Sequence, residues 1–200
     1  MTLTGKLILR LSAYGRRFRS AYLLRRFVWM EGPLLNRLQV GAGTQLQVPL
    51  RSGGSGCLIM GKGNSFGYWA APMLGSGKIM LQPRLPDAEI RIGDGNWFNK
   101  NVSIVANERI MMGDGCQIGD QVAIYDCDFH ELNPATRNRS CGPSQPVSIG
   151  NNVWLGSRVM ILKGVSIGDN SVVAAMSVVT KSIPSNTVAA GVPAQVVRAL

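Results

Sequence analysis

The sequence predicts an all-β chain: a parallel solenoid of six-residue units, entered through a short helical segment and interrupted by one long inserted loop. Three observations carry this. From Ile149 an aliphatic residue recurs every six positions, at Ile149, Leu155, Ile161, Ile167, Val173 and Val179. A tag of the form Φ-x-Φ-G-[KDN]-[GN] begins at Leu58, Ile90, Ile110, Val147 and Val165, at steps of 32, 20, 37 and 18 residues. Near the N-terminus, Leu3, Leu7, Leu11, Tyr14, Phe18 and Tyr22 follow one another at steps of three and four, which is one stripe of a helix.

Residues 1–40 form the first unit, a basic amphipathic helical segment. Lys6, Arg10, Arg16, Arg17 and Arg19 lie off the apolar stripe, and Gly15 weakens its middle. Such a helix can cap the open end of a parallel stack, which otherwise exposes an edge. Its residues 3–26 can also meet an anionic membrane surface. Both hold together if the stripe faces the protein and the arginines face lipid phosphates or substrate.

Residues 41–198 form the second unit. Ile92, Phe98, Ile104 and Ile110 stand six apart, and Met112, Ile118 and Ile124 repeat the step in a phase shifted by two. A perfect coil is 18 residues, so the step of 37 is one coil plus 19 inserted residues, placed around 126–148 where the sixes stop. After Ile149 the repeat is strict. Positions four after each aliphatic are Val153, Val159, Val165, Ser171, Ser177 and Ile183, all small or β-branched. A helix repeats its apolar residues at three and four, and a simple strand at two. A step of six fits a triangular solenoid, in which each unit is a short strand plus a turn and three units close a coil. The sheets are then parallel and buried on their inner face.

Composition narrows the function. The chain has 200 residues, 46% hydrophobic, with 24 glycines in no Gly-X-Y period, so neither collagen nor disorder is indicated. The net charge is +10, but residues 1–80 hold 11 basic side chains against Glu31 alone, whereas residues 81–200 hold 10 of each sign. A neutral solenoid argues against a nucleic-acid groove. The cysteines (Cys57, Cys116, Cys127, Cys141) lack C-x-x-C spacing, which excludes a zinc ribbon. Arg10 breaks the only stretch resembling a signal-peptide core, and no run approaches a spanning helix. A cytoplasmic protein with free thiols is expected, held at most peripherally at the inner face of the membrane; Cys127 and Cys141 share one loop and could pair.

The stretch I-G-N-N-V-W-L-G-S-R-V…I-G-D-N-S-V-V…V-V-T-K-S-I-P…A-A-G-V-P-A-Q-V-V-R resembles the signature of the hexapeptide-repeat acyltransferases, and the resemblance covers roughly residues 88–198. It implies a left-handed parallel β-helix, usually trimeric with active sites between subunits, that transfers an acetyl group from acetyl-CoA. The handedness comes from the resemblance alone, since parallel crossovers are in general right-handed.

The loop D-C-D-F-H-E-L-N-P-A-T-R-N-R-S-C-G-P-S-Q-P-V is long for a compact domain and holds His130, the single histidine. From position alone an exposed loop histidine with no task explains it equally well. An imidazole also titrates near neutral pH and can take a proton from a hydroxyl, and the resemblance implies a catalytic histidine at this place. Asp126, Asp128 and Glu131 are candidates to orient the ring, with Asp128 preferred; they would also serve merely to solvate the loop. A single imidazole cannot supply the three protein ligands of a catalytic zinc site, so no metal is expected.

Asn99, in W-F-N-K-N-V-S-I-V, matches an active-site asparagine of similar sugar acetyltransferases, and is equally an ordinary corner residue. Asn107 stands where those enzymes place an acceptor-binding acid. By the same resemblance Trp154, Gly156, Ser157, Ala174 and Ala175 line the pantetheine path, and Lys181 and Arg198 meet the nucleotide phosphates. Small residues at these corners are also what tight coil turns need. A backbone N–H near Gly156 or Ser157 could stabilise the oxyanion. The expected function is therefore acetyl-CoA-dependent O-acetylation of a sugar or lipid-linked glycan in polysaccharide biosynthesis. The alternatives are N-acetylation of an amino sugar or sugar nucleotide, and a solenoid that serves only as a scaffold.

Overall fold

The computed structural model describes residues 3–67 and 76–200, with side chains from Tyr14 onward. A helix, α1 (Leu3–Glu31), and a 3₁₀ turn at Gly32–Leu34 precede three parallel sheets that form the sides of a prism.

Sheet 1 stacks Arg37–Val40, Cys57–Met60, Glu89–Ile92, Arg109–Met112, Val147–Ile149 and Ser166–Ile167. Sheet 2 stacks Gln45–Leu46, Ser65–Phe66, Trp97–Phe98, Gln117–Ile118, Trp154–Leu155, Val172–Val173 and Thr187–Gly191, closed by the antiparallel strand Ala194–Ala199. Sheet 3 stacks Leu50–Arg51, Ile79–Pro83, Ser103–Ala106, Ala123–Tyr125, Met160–Ile161 and Val178–Val179. The solenoid thus begins at Arg37, four residues before the expected boundary.

The register reproduces the tag spacing. Leu58 lies beside Ile90, Ile90 beside Ile110, and Ile110 beside Val147. Every aliphatic of the hexad run from Ile149 to Val179 is buried inside the prism. The tag's polar residue has a chemical reason as well. Asp94 Oδ1 accepts the N–H of Lys62 (2.6 Å), Asp114 Oδ1 that of Asp94 (2.7 Å), Asn151 Oδ1 that of Asp114 (2.9 Å) and Asp169 Oδ1 that of Asn151 (2.6 Å). One carboxylate or amide per coil therefore satisfies a corner donor of the coil before it.

The step of 37 places the residues between Tyr125 and Val147 outside the sheets, joined to themselves by a single antiparallel bridge between Cys127 and Ser144. The step of 32 also exceeds one coil, and residues 68–75 within it lie outside the described residues.

α1 does cap the first coil, but through a different face from the one expected. Leu23 and Phe27 are buried in the core, whereas Tyr14, Phe18 and Tyr22 of the apolar stripe are exposed. The buried face also supplies acceptors to edge donors that have no preceding coil. Ser20 Oγ accepts the N–H of Leu46 (2.9 Å), and Glu31 Oε2 accepts those of Ser52 (3.1 Å) and Gly53 (2.9 Å). A sheet edge is thereby paired by side chains rather than by another strand.

Candidate functional site

The site residues fall in two groups at two edges of the prism. The first lies on sheet 2 and its corner with sheet 3. Trp97, Gln117 and Trp154 are register neighbours on three successive coils. The two exposed indoles therefore stand about 10 Å apart, at twice the inter-strand spacing. With Asn99 and Gly119 they line a cavity of 490 Å³. Asn99 turns its Oδ1 onto the N–H of Lys100 (2.9 Å), which leaves its amide NH₂ as donor.

Gly156, Ser157, Ala174 and Ala175 continue this corner on later coils. Their smallness has a packing cause: a Cβ on Gly156 would lie 2.5 Å from Ala175 N, and one on Gly119 2.5 Å from Ser157 N. Gly156 donates its own N–H to Val173 O (2.8 Å), so of the two oxyanion donors considered it is already engaged. Ser157 Oγ donates to Asp120, and this bond holds the Asp120 carboxyl below the usual carboxylate range.

Lys181 and Arg198 do not share this corner. Lys181 follows the last strand of sheet 3, and Arg198 sits opposite Val188 in the antiparallel pair that ends sheet 2.

The second group lies at the edge between sheets 3 and 1, where the 126–146 segment leaves the solenoid. Asp126 is fully buried, and its carboxylate accepts three backbone N–H groups of the preceding coil: Asn107 (2.7 Å), Glu108 (2.8 Å) and Arg109 (2.8 Å). Burial pushes the neighbouring Cys127 thiol up. Phe129 holds a left-handed backbone (φ 65°), meets Tyr125 edge-to-face at 5.1 Å, and lies under the Arg84 guanidinium at 5.3 Å.

His130 follows, exposed, with Nδ1 3.3 Å from the carbonyl oxygen of Arg137. Gly142 (φ 69°) packs against the backbone of His130, and a Cβ there would lie 2.3 Å from His130 O. The loop can close in this way only around a glycine.

None of the three candidate carboxylates is bonded to the ring here. Asp126 clamps the corner, Asp128 pairs with Lys163, and Glu131 accepts from Ser140, so a backbone carbonyl holds the ring nitrogen. Phe129, Arg84 and Lys163 were missed by sequence reasoning, because their roles depend on coil register and no local motif marks them. Trp97 was within reach: it precedes the inward Phe98 as Trp154 precedes Leu155, which places both indoles outward on one sheet.

Asn107 is buried, and its Oδ1 has no hydrogen-bond partner among the described residues. No group of three or more His, Cys, Asp or Glu side chains able to hold a metal occurs among the described residues. Likewise, no described helix is long and apolar enough to cross a membrane.

Comparison with known proteins agrees with this architecture. Residues 146–181 match the family described as bacterial transferase hexapeptide (six repeats). A galactoside O-acetyltransferase of Escherichia coli (strain K12) is 44% identical over 111 residues, 56% of this chain and 54% of its own length. The chain thus spans about half the length of the curated relatives it matches. Among solved structures, a galactoside acetyltransferase in complex with coenzyme A is 30% identical, with a TM-score of 0.58 over 92% of this chain and 80% of that one. A hexapeptide-repeat acetyltransferase of Vibrio cholerae complexed with acetyl coenzyme A is also 30% identical, with a TM-score of 0.58 over 84% and 73%.

Proposed function

Because this chain belongs to the bacterial hexapeptide-repeat transferase family, we propose that it is an acetyl-CoA-dependent O-acetyltransferase of a sugar or lipid-linked glycan, with His130 as general base. The observation that carries this reading is the anchoring of the single histidine. Its segment is clamped at the base by Asp126, packed edge-to-face on Tyr125 through Phe129, and held at Nδ1 by the Arg137 carbonyl. A proton on Nδ1, donated to that carbonyl, leaves the Nε2 lone pair exposed. Nε2 takes the acceptor hydroxyl proton as the acceptor oxygen attacks the thioester carbonyl, and returns it to the departing sulfur. The Ser157 N–H is the donor suited to the oxyanion, since that of Gly156 is engaged.

The donor is assigned to the Trp154, Gly156, Ser157, Ala174, Ala175 corner, whose small residues would admit a slim chain in close approach; two relatives are solved with coenzyme A or acetyl coenzyme A bound. Asn99 donates to acceptor or thioester. Lys181 and Arg198 are assigned to the nucleotide phosphates.

On one chain His130 and this corner leave the solenoid at different edges. The reading therefore includes a homotrimer of left-handed β-helices, in which His130 of one subunit serves the corner of the next. It also includes a cytoplasmic enzyme of polysaccharide biosynthesis that meets the inner face of the membrane through α1.

The test is thiol release from acetyl-CoA with hydroxyl sugars and amino sugars as acceptors. His130→Asn is expected to lower kcat about 10²–10⁴-fold with little change in the KM for donor. Wild-type turnover by this variant sinks the mechanism. Turnover with amino sugars alone replaces O- by N-acetylation, and absence of coenzyme A binding by calorimetry leaves only a scaffold.

A further inference from the structure

We propose that the outward face of α1 is a docking surface for an anionic lipid bilayer, seated by aromatic side chains and not by arginines alone. This rests on the reading of the N-terminal segment as a membrane contact and revises its footprint. The sequence places the apolar stripe on the protein; the structure turns its described members, Tyr14, Phe18 and Tyr22, outward.

At 100° per residue, Tyr14, Phe18, Tyr22 and Trp29 fall within an arc of about 80°, and the buried Ser20, Leu23, Phe27 and Glu31 fall within a similar arc on the opposite side. The helix is therefore apolar on two diametrically opposed faces, of which the solenoid covers one. The other is open: Phe18 is 77% exposed, Trp29 79%, Tyr22 64% and Tyr14 60%. Val28, also exposed, adjoins this arc.

Charge decides the occupant. Arg25 lies within the aromatic arc, and Arg17 and Arg26 flank it. The only acid from Tyr14 to Glu31 is Glu31, which is buried, bonded to two backbone N–H groups and paired with Arg51 at 3.4 Å. On the Arg26 flank a cavity of 460 Å³ between α1 and the first coil is lined by Arg26, Arg51 and Lys78 together with Glu31, to which Arg51 is paired. The open face is thus aromatic at its centre, carries Arg25 within it and is flanked by Arg17 and Arg26, with no exposed acid on the helix from Tyr14 to Glu31. Tyr and Trp favour the headgroup level of a bilayer, and arginines there meet lipid phosphates. A second copy of this helix would set the same cations against one another.

The experiment is co-sedimentation of the full chain with vesicles of phosphatidylcholine alone and of phosphatidylcholine with about one third phosphatidylglycerol, at low and high salt. Binding to the anionic vesicles only, weakened by salt, is expected. Phe18→Ser with Trp29→Ser should weaken it about tenfold, and Arg17→Glu with Arg25→Glu by at least as much, with the melting temperature unchanged because all four side chains are exposed. Retention of these bindings in His130→Asn separates this inference from the acyl-transfer reading. No binding to anionic vesicles at low salt, or binding unmoved by Phe18→Ser with Trp29→Ser, overturns it. So does a loss of self-association in that variant measured by ultracentrifugation, which would assign the face to a second copy.

Discussion

Asp126→Ala separates two roles that one carboxylate at the base of the loop can have. If the side chain steers His130, its removal changes the pH profile of turnover and leaves stability almost untouched. If it clamps the corner, the reverse holds. The structure favours the clamp, since both oxygens of this fully buried group are taken by the N–H groups of Asn107, Glu108 and Arg109 at 2.7–2.8 Å. Hydrogen bonds to a charged acceptor contribute about 1.5–3 kcal/mol each, so three set a ceiling of roughly 5–9 kcal/mol. Glu108 and Arg109 are exposed, and water can replace the lost acceptor there; Asn107 is buried and its N–H stays dry. A net loss of about 3 kcal/mol is therefore expected, the order of one fully orphaned donor plus two partly compensated ones. In urea the midpoint should fall by roughly 1–2 M, at fixed protein concentration. Asp126→Asn should recover only part of this, because with its oxygen turned to the Glu108 and Arg109 N–H groups its NH₂ would face the Asn107 N–H donor. Where both proteins are folded, kcat should drop about 10–100-fold as the loop base shifts and His130 with it. An Asp126→Ala midpoint equal to wild type, with an altered pH profile, would refute the clamp.

Two further variants probe the small-residue corner. Gly156→Ala puts a Cβ 2.5 Å from Ala175 N, where backbone must move, and should cost about 1–3 kcal/mol in thermal or urea unfolding; an unchanged melting temperature would show that the corner has room. Ser157→Ala removes the hydroxyl that holds the Asp120 carboxyl below its ordinary range, so in carboxyl NMR titrations Asp120 should move upward. A carboxyl lowered in the folded state stabilises above its unfolded pKa, about 3.9, and that stability is lost as pH falls through the folded value. The small stability difference between the two proteins should therefore close in acid, and an Asp120 titration unmoved by the substitution would refute the assignment.

What the sequence revealed follows from what repeats. A residue that points into the prism has one neighbour above and one below, so Ile110 must match Ile90 and Val147, and the tag spacing reads the coil register directly. Residues before Leu58 carry only partial hexads, and their strands are held as much by Ser20 and Glu31 of α1 as by their own pattern. Nothing local announces that a helical serine and glutamate will serve as strand partners. The helix itself was legible from its periodicity, but its buried face was not. Tyr14, Phe18 and Tyr22 form the longer apolar stripe, whereas Leu23 and Phe27 make the packing contact. Periodicity reports that a face is apolar; which apolar face the protein covers is decided by the shape of the first coil. In the loop, His130 was visible because it is the only histidine, but the partner of its ring is a carbonyl, and a carbonyl has no residue identity to read.

The split of the candidate site between two edges is also a consequence of the repeat. A coil has only three corners, and successive coils place equivalent residues directly above one another. Asn99 leaves sheet 2 for sheet 3, as do Gly156 and Ala174, so all share one edge. His130 belongs to a segment that leaves sheet 3 for sheet 1, and that segment is tied to the same edge by the pairing of Asp128 with Lys163. Added coils lengthen the prism without bringing the edges together. If His130 acts on a donor held at the Asn99 edge, a neighbouring chain must supply one of the two, and a threefold arrangement about an axis parallel to the prisms gives three equivalent sites. Mixing His130→Asn chains with Asn99→Ala chains tests this. Co-refolded, two inactive variants should regain activity through the interfaces that pair an intact His130 edge with an intact Asn99 edge. Mixtures that stay inactive while forming mixed oligomers would place both residues in the site of a single chain.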